Sequence, residues 1–184
     1  MAQKENQRIA LTRRLLQEGL LRLLAHEQLD QISVTALCKE AGVNRATFYN
    51  HYTSPSELLN EMELQLISEV KELSGHPNSI EDITNNFERI CIKLREKADL
   101  VRILVRYHAD QDLEDIIIQM ARHYGSTRLN LHDTQMDADS LHLVSTFVYS
   151  GCYTMIQEWL VRDIQKTPRE IAELALSIIN KEYL

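Results

Sequence analysis

Apolar residues recur at helical spacing along nearly the whole chain, and glycine or proline seldom interrupts them. The first helix is predicted over residues 6–26, with an apolar stripe of Ile9, Leu16, Leu20, Leu23 and Leu24. Further helices are predicted over residues 34–41, 44–52, 54–74, 79–97, 99–107, 110 or 112 to 125, 139–161 and 168–181. The pattern therefore predicts an all-α fold of about nine helices.

Capping residues indicate where several of these helices begin. Two segments place a hydroxyl at N-cap, proline at N1 and glutamate at N3; they are Ser54, Pro55, Glu57 and Thr167, Pro168, Glu170. Ser79 and Asp99 are predicted to cap two more helices. Residues 126–137 have the weakest pattern and are predicted to form a loop.

One segment has the pattern of a helix-turn-helix. Ser33 is placed to cap its first helix, and Gly42 follows the last residue of that helix, where glycine adopts a left-handed backbone at little cost. Asn44 is placed to cap the second helix. Phe48 and Tyr52, four residues apart, would hold that helix against the domain.

The second helix of this motif, Arg45 to Tyr52, has a polar outer surface suited to DNA. Donors, acceptors and a methyl group near a helix N-terminus can distinguish base pairs in the major groove. The guanidinium of Arg45 matches O6 and N7 of guanine. We assign base reading to Arg45, Ala46, Thr47 and Asn50.

The charge of the chain is unevenly divided. Net charge is −7, but residues 1–55 hold seven basic residues against five acidic ones, and residues 56–184 hold thirteen against twenty-two. The mildly basic residues 1–55, attached to the acidic residues 56–184, would be oriented toward DNA phosphates. The content of 44% apolar and 26% charged residues is ordinary for a globular chain.

Other classes of protein find little support. The chain has no leader-like segment and no long apolar run, so we expect a cytoplasmic protein without a membrane partner. Three distant cysteines suggest buried reduced thiols, and the histidine spacing indicates no metal or cofactor. No catalytic motif is present, although an enzyme built from scattered residues stays open.

Residues 33–59, SVTALCKEAGVNRATFYNHYTSPSELL, resemble the DNA-binding signature of the TetR family of transcriptional regulators. The likeness rests on the Gly42–Val43 pair, the Thr-Phe-Tyr that begins at Thr47, and Tyr52. It implies a helix-turn-helix DNA-binding domain over residues 1–54. A helical ligand-binding and dimerisation domain would follow over residues 55–184.

The resemblance also implies which residues meet the DNA backbone. Thr35, Tyr49 and His51 match family positions that usually contact sugar and phosphate. Many members carry a basic residue at the start of the fourth helix, where this chain has residues 54–56, SPS. Free amides at the start of that helix could take over this contact.

In the family, the last two long helices of each subunit pair into a four-helix bundle. By that resemblance we place Cys152, Ala175, Ile171 and Ile178 in a homodimer interface. The alternative is that these residues face the core of one subunit. A ligand pocket is implied in the same way for Tyr149, Tyr153, Trp159, Tyr107 and Met120, with ordinary core packing as its alternative.

Three functions stay open. The favoured one is a dimeric, ligand-responsive repressor that binds a palindromic double-stranded DNA operator and an unknown small-molecule effector. The second is an adaptor or coactivator of the same fold that acts through a protein partner, since the usual basic residue near Pro55 is missing. The third is an enzyme. The sequence does not reveal the operator, the effector or the sign of regulation.

Overall fold

The computed structural model describes residues 2–73, 79–107, 112–115, 117–119 and 137–180. These residues form helices and connecting turns, without a strand, and the prediction of an all-α fold is confirmed. The helices are α1 (Ala2–Leu24), α2 (Val34–Ala41), α3 (Arg45–Tyr49), α4 (Pro55–Leu73), α5 (Ile80–Glu96), α6 (Ala98–Arg106), the helical residues 112–115 and 117–119 (α7), α8 (Ala138–Val161) and α9 (Pro168–Asn180), with a 3-10 turn at Leu29–Gln31. The predicted loop at 126–137 lies, except for its last residue, outside the described residues.

The chain divides into two compact units, residues 1–66 and residues 67–184. The division falls within α4, whereas the predicted boundary lies at the start of that helix. None of the described helices is long and apolar enough to cross a membrane.

The first unit is built on the crossing of α1 and α2. A Cβ added to Gly19 would lie 3.1 Å from the Cβ of Ala41, so the two helices approach closely because residue 19 is glycine. Arg22 of α1 donates from Nε to a carboxylate oxygen of Glu40 at 2.5 Å and from Nη2 to its carbonyl at 3.2 Å. Three members of the predicted stripe, Leu16, Leu20 and Leu24, are fully buried, but Ile9 is exposed and Leu23 is half-buried.

In the second unit, α5 packs against α9 and α6 packs against α8. Arg169 joins α9 to α5, since its Nη1 donates to Asn85 at 2.8 Å and to Glu88 at 3.1 Å. The core of this unit consists of buried apolar residues from all four helices, including Phe87, Ile90, Leu104, Ile156 and Ala172. Cys38, Cys91 and Cys152 are free and buried, as predicted, and burial raises the pKa of the Cys91 thiol to about 12.

A turn held by side chains connects α8 and α9. The indole Nε1 of Trp159 donates to the carbonyl of Lys166 at 3.1 Å, and the Arg95 guanidinium lies 5.2 Å from the centre of its ring. Arg95 also pairs with Asp163 at 2.9 Å. Asp163 has a positive φ of 50°, which is uncommon outside glycine, and its carboxylate is fixed by that ion pair.

The predicted start of α9 is confirmed in detail. Glu170 accepts from the Thr167 backbone N–H at 2.7 Å, and the Thr167 hydroxyl oxygen accepts from the Glu170 N–H at 3.2 Å, which is a complete capping box. The prediction for Asp99 was wrong: α6 begins at Ala98 without a side-chain cap, and Asp99 lies in its first turn paired with Arg102 at 2.9 Å. Likewise Asp137 caps α8, so that helix begins before Asp139.

Candidate nucleic-acid interface

The helix-turn-helix has the predicted capping geometry. The hydroxyl oxygen of Ser33 accepts from the Ala36 N–H at 3.1 Å at the start of α2. At its end Gly42 has a φ of 66°, in the left-handed region, and the N–H of Val43 donates to the carbonyl of Cys38 at 2.9 Å. These bonds fix the direction in which the chain leaves α2 and enters α3.

α3 is anchored from inside and capped at its start. The side chain of Asn44 accepts from the Ala46 N–H at 2.8 Å, and Phe48 and Tyr52 are buried. The helix ends at Tyr49, three residues earlier than predicted. The chain continues in a tight turn in which the N–H groups of His51 and Tyr52 both donate to the carbonyl of Phe48 at 2.9 Å.

The predicted base-reading residues share the outer surface of this short helix. Arg45, Ala46 and Asn50 are exposed, and Thr47 is half-buried. No carboxylate of the described residues pairs with Arg45, so its guanidinium keeps its donors for another partner. The surface therefore combines the guanidinium donors of Arg45, the methyl of Ala46, the hydroxyl of Thr47 and the amide of Asn50.

The residues predicted to contact phosphate flank this surface. Tyr49 is half exposed, with its ring edge-on to Phe48, and His51 is half-buried. Thr35 is exposed on α2, and Lys39, exposed one helical turn later, lies on the same face. The sequence analysis missed Lys39, although its spacing of four residues from Thr35 was a signal that could have found it.

The start of α4 is already occupied by the chain's own carboxylate. Glu57 accepts from the Thr53 N–H and from the Thr53 hydroxyl, each at 2.6 Å, while Ser54 accepts from the Glu57 N–H at 3.2 Å. The bonds from Thr53 lower the pKa of Glu57, so it stays ionised near neutral pH. A phosphate at this helix end would meet the negative charge of Glu57, and the amide of Glu57 is already bonded to Ser54, which argues against the predicted substitute contact.

We predict that Ser56→Lys raises affinity for DNA, because Ser56 is exposed in the first turn of α4, whereas Pro55 is buried. A lysine here would add a cation where the chain now presents only neutral residues and Glu57. We expect affinity to rise several-fold at low salt, and the salt dependence of log K to steepen by about 0.9 per subunit for one added phosphate contact. Fluorescence anisotropy over a series of salt concentrations measures both. Ser56→Gln is the control, because it lengthens the side chain without adding charge; an equal gain in that variant contradicts the prediction.

We predict a smaller and sequence-independent effect for Tyr49→Phe. The substitution keeps the ring that packs on Phe48 and removes only the hydroxyl. Binding should weaken by about 0.5–1.5 kcal/mol, the typical net contribution of one hydrogen bond, and equally on all duplexes. Competition between the preferred duplex and random DNA checks this. A changed base preference would assign Tyr49 to base reading.

Tyr52 links three helices of the first unit. Its hydroxyl is buried beside Glu61 of α4, and burial together with that carboxylate raises the pKa of Tyr52 to about 12. Glu61 pairs in turn with Nη1 of Arg13 of α1 at 3.2 Å. The turn that follows α3 therefore lies next to both α4 and the middle of α1.

In the second unit, the predicted pocket residues are mostly buried. Tyr149, Tyr153 and Trp159 are each at most 5% exposed, and Tyr107 is half-buried. Met120 lies outside the described residues. The indole Nε1 of Trp159 already donates to the carbonyl of Lys166, so this side chain stabilises the turn between α8 and α9.

The predicted dimer residues fall into two groups. Cys152, Ile171 and Ala175 are at most 2% exposed within the single chain and have almost no surface left for a partner, whereas Ile178 is 41% exposed. The same two helices expose other apolar residues that the sequence analysis did not select. The exposed apolar face of α8 and α9 consists of Leu143, Phe147, Leu174 and Ile178.

Two family models match the chain. The model described as "Bacterial regulatory proteins, tetR family" matches residues 16–62, and the model described as "Transcriptional regulator C-terminal region" matches residues 81–181. No curated protein matches the sequence.

Solved structures with the same fold include three that cover nearly the whole chain. A TetR transcriptional regulator from Streptococcus agalactiae 2603V is 17% identical with a TM-score of 0.67, covering 97% of this chain and 99% of that one. The dihydroxyacetone kinase operon activator DhaS is 14% identical with a TM-score of 0.57, covering 91% and 93%. FadR from Bacillus subtilis, in complex with stearoyl-CoA, is 15% identical with a TM-score of 0.59, covering 90% and 96%.

Proposed function

Since this chain belongs to the TetR family of bacterial transcriptional regulators, a family of DNA-binding proteins and not of enzymes, we propose that it is a homodimeric, ligand-responsive repressor of a palindromic operator. The observation that carries the proposal is the outer surface of α3. It presents Arg45, which pairs with no carboxylate of the described residues, on a helix that Asn44 caps and Phe48 anchors.

In the proposed complex, α3 enters the major groove by its first turn. Arg45 and Thr47 read base edges, Ala46 offers a methyl for contact with thymine, and Asn50 lies one turn further along. Backbone contacts come from flanking residues on α2 and α3, namely Thr35, Lys39, Tyr49 and His51. Base contacts would set sequence preference, and the backbone contacts would set register.

The proposed dimer uses the exposed apolar face of α8 and α9. Phe147 is 80% exposed and Leu143 is 68% exposed, an unusual state for large apolar side chains. A Cβ added at Gly151, one turn beyond Phe147, meets no atom within 4 Å, so a partner helix could approach closely there. A two-fold dimer would pair two reading helices with the two halves of a palindrome.

The proposed effector binds within the second unit, near Tyr149 and Tyr153. An aromatic, largely apolar surrounding suits a mostly apolar molecule with one or two hydrogen-bonding groups. The similarity to FadR in complex with stearoyl-CoA supports an acyl thioester as the first molecule to try. A ligand that releases DNA must bind the DNA-free state more tightly, and operator DNA must weaken its binding by the same factor.

The direct test is selection of bound duplexes from a random DNA pool by the full-length protein. The expected product is one palindromic sequence whose half-sites are separated by about one helical turn. Calorimetric titration of stearoyl-CoA, with and without that duplex, then measures the coupling. Recovery of no preferred duplex would contradict operator reading, and equal ligand affinity in both titrations would contradict the switch.

An adaptor that regulates transcription through a protein partner is the second candidate. The occupied start of α4 favours it, because Glu57 stands where a phosphate contact would be made. The first unit also holds seven basic residues against eight acidic ones, which is weak for a DNA-binding unit. Failure of the selection, together with a retained fold, would favour this candidate.

A further inference from the structure

The positive charge of the first unit is concentrated at one end of α1. Residues 1–14 contain four basic residues, Lys4, Arg8, Arg13 and Arg14, against the single acidic residue Glu5. Residues 15–66, which include the whole helix-turn-helix, contain three basic residues against seven acidic ones. The reading motif itself is therefore embedded in net negative charge, although phosphate binding requires the opposite.

This basic segment is helical and lies on the surface. α1 begins at Ala2, well before residue 16, where the match to the tetR family model starts. Residues 6–11 are exposed, as are Arg13 and Arg14. The first buried residue of α1 is Leu16, so the turns before it contribute no buried residue to the core of the first unit.

Arg8 and Arg14 of this segment remain available to a partner. Among residues 6–73, no carboxylate pairs with Arg8. Arg14 forms only a solvent-exposed pair with Glu18, at 3.6 Å, which is weak and exchangeable. Arg13 is held by Glu61 and fixes the position of the helix.

The contact of Arg13 with Glu61 places the middle of α1 next to the turn that follows α3. Glu61 adjoins the buried hydroxyl of Tyr52, at the end of that turn. Arg8 is five residues earlier in α1, about 8 Å along the helix axis. The major groove is about 12 Å wide and is bordered by backbone phosphates, so this separation is of the same size as the groove.

We propose that the first turns of α1 are a second DNA-contacting surface, in which Arg8 binds a backbone phosphate next to the half-site that α3 reads. The contact is electrostatic and carries no base preference. It adds to the two cations of the helix-turn-helix, Lys39 and Arg45, and supplies positive charge that the start of α4 lacks. This inference rests on the proposed operator binding.

The variant Arg8→Gln tests it in the full-length protein. Binding to the selected duplex and to random DNA is measured by anisotropy over a series of salt concentrations. Loss of one phosphate contact per subunit should reduce the slope of log K against log salt by about 1–2 per dimer, and should weaken both duplexes equally at low salt. Unchanged circular dichroism and thermal midpoint show that the variant is folded.

The control is Arg162→Gln, which removes the same charge from an exposed position of the second unit. A wild-type slope in the α1 variant overturns the inference, and so does an equal loss in the control, which would indicate only net charge. These results leave operator binding by wild-type protein intact. Absence of any duplex binding by wild-type protein, in contrast, overturns the proposed function and the inference with it.

Discussion

Arg45→Ala should weaken operator binding by about 1–3 kcal/mol per half-site and relax the base preference at one symmetric position of the operator. The reason is geometric. Arg45 is the first residue of α3, its neighbour Asn44 fixes the helix start, and its guanidinium pairs with no carboxylate of the described residues. A bidentate contact with guanine would then be lost twice in each dimer complex.

Lys39→Ala is the matched control for Arg45→Ala. It also removes one exposed cation of the reading motif, but from the face of α2 that it shares with Thr35. We expect equal weakening on operator and random DNA for Lys39→Ala, and a changed preference for Arg45→Ala alone. Repeating the random-pool selection with both variants measures this. If both variants weaken all duplexes alike, Arg45 contacts phosphate and reads no base.

Phe147→Glu should dissociate the proposed dimer while leaving the subunit folded. The side chain is 80% exposed in the single chain, so the subunit loses little on substitution, whereas a dimer would bury two opposed carboxylates in an apolar interface. An aromatic residue central to an interface typically contributes about 2–4 kcal/mol, which corresponds to a dissociation constant raised about 30- to 1,000-fold. Sedimentation equilibrium measures the change, and operator affinity should fall with it.

Ile92→Glu is the control for this substitution, since Ile92 is 41% exposed on α5 of the same unit. It should stay dimeric. A dimeric Phe147→Glu would place the interface elsewhere. Ala175→Arg would be a poor test by comparison, because Ala175 is 1% exposed and a buried arginine would disrupt the core of the subunit.

Local chemistry explains which features the sequence predicts well. Ser33, Gly42 and Asn44 act on backbone groups within a few residues of themselves, so their roles can be read from adjacent positions. The capping box of Thr167 and Glu170 is equally local. These residues fix the starts of α2, α3 and α9, and the start of α3 determines which of its residues face outward.

Periodicity identifies an apolar face but not the surface that covers it. Cys152 and Ala175 lie on regular seams, and packing within the chain covers both, while Phe147 remains exposed. This difference depends on how the helices of the second unit are arranged, which no local pattern contains. The same holds for Asp99. The sequence allowed a cap, but only Lys97 separates α5 from α6, and the carboxylate of Asp99 pairs with Arg102.

The start of α4 shows a third kind of difference. Proline and glutamate at their favoured positions predicted the helix, and the helix is present. The sequence analysis considered its amides for phosphate binding but not the reach of Glu57 back to Thr53. Helix-start signals and anion sites use the same amides, so a strong cap is evidence against a ligand there.

The single tryptophan of the chain is fixed in the turn between α8 and α9, by the carbonyl of Lys166 and the guanidinium of Arg95. Emission excited selectively from Trp159 therefore follows denaturation of residues 67–184, while far-ultraviolet circular dichroism follows helix loss in both units. Coincident transitions would mean that the chain loses its structure in one cooperative step. A dichroism change that precedes the loss of native emission would instead mean that residues 1–66 melt first, and that the two units differ in thermodynamic stability.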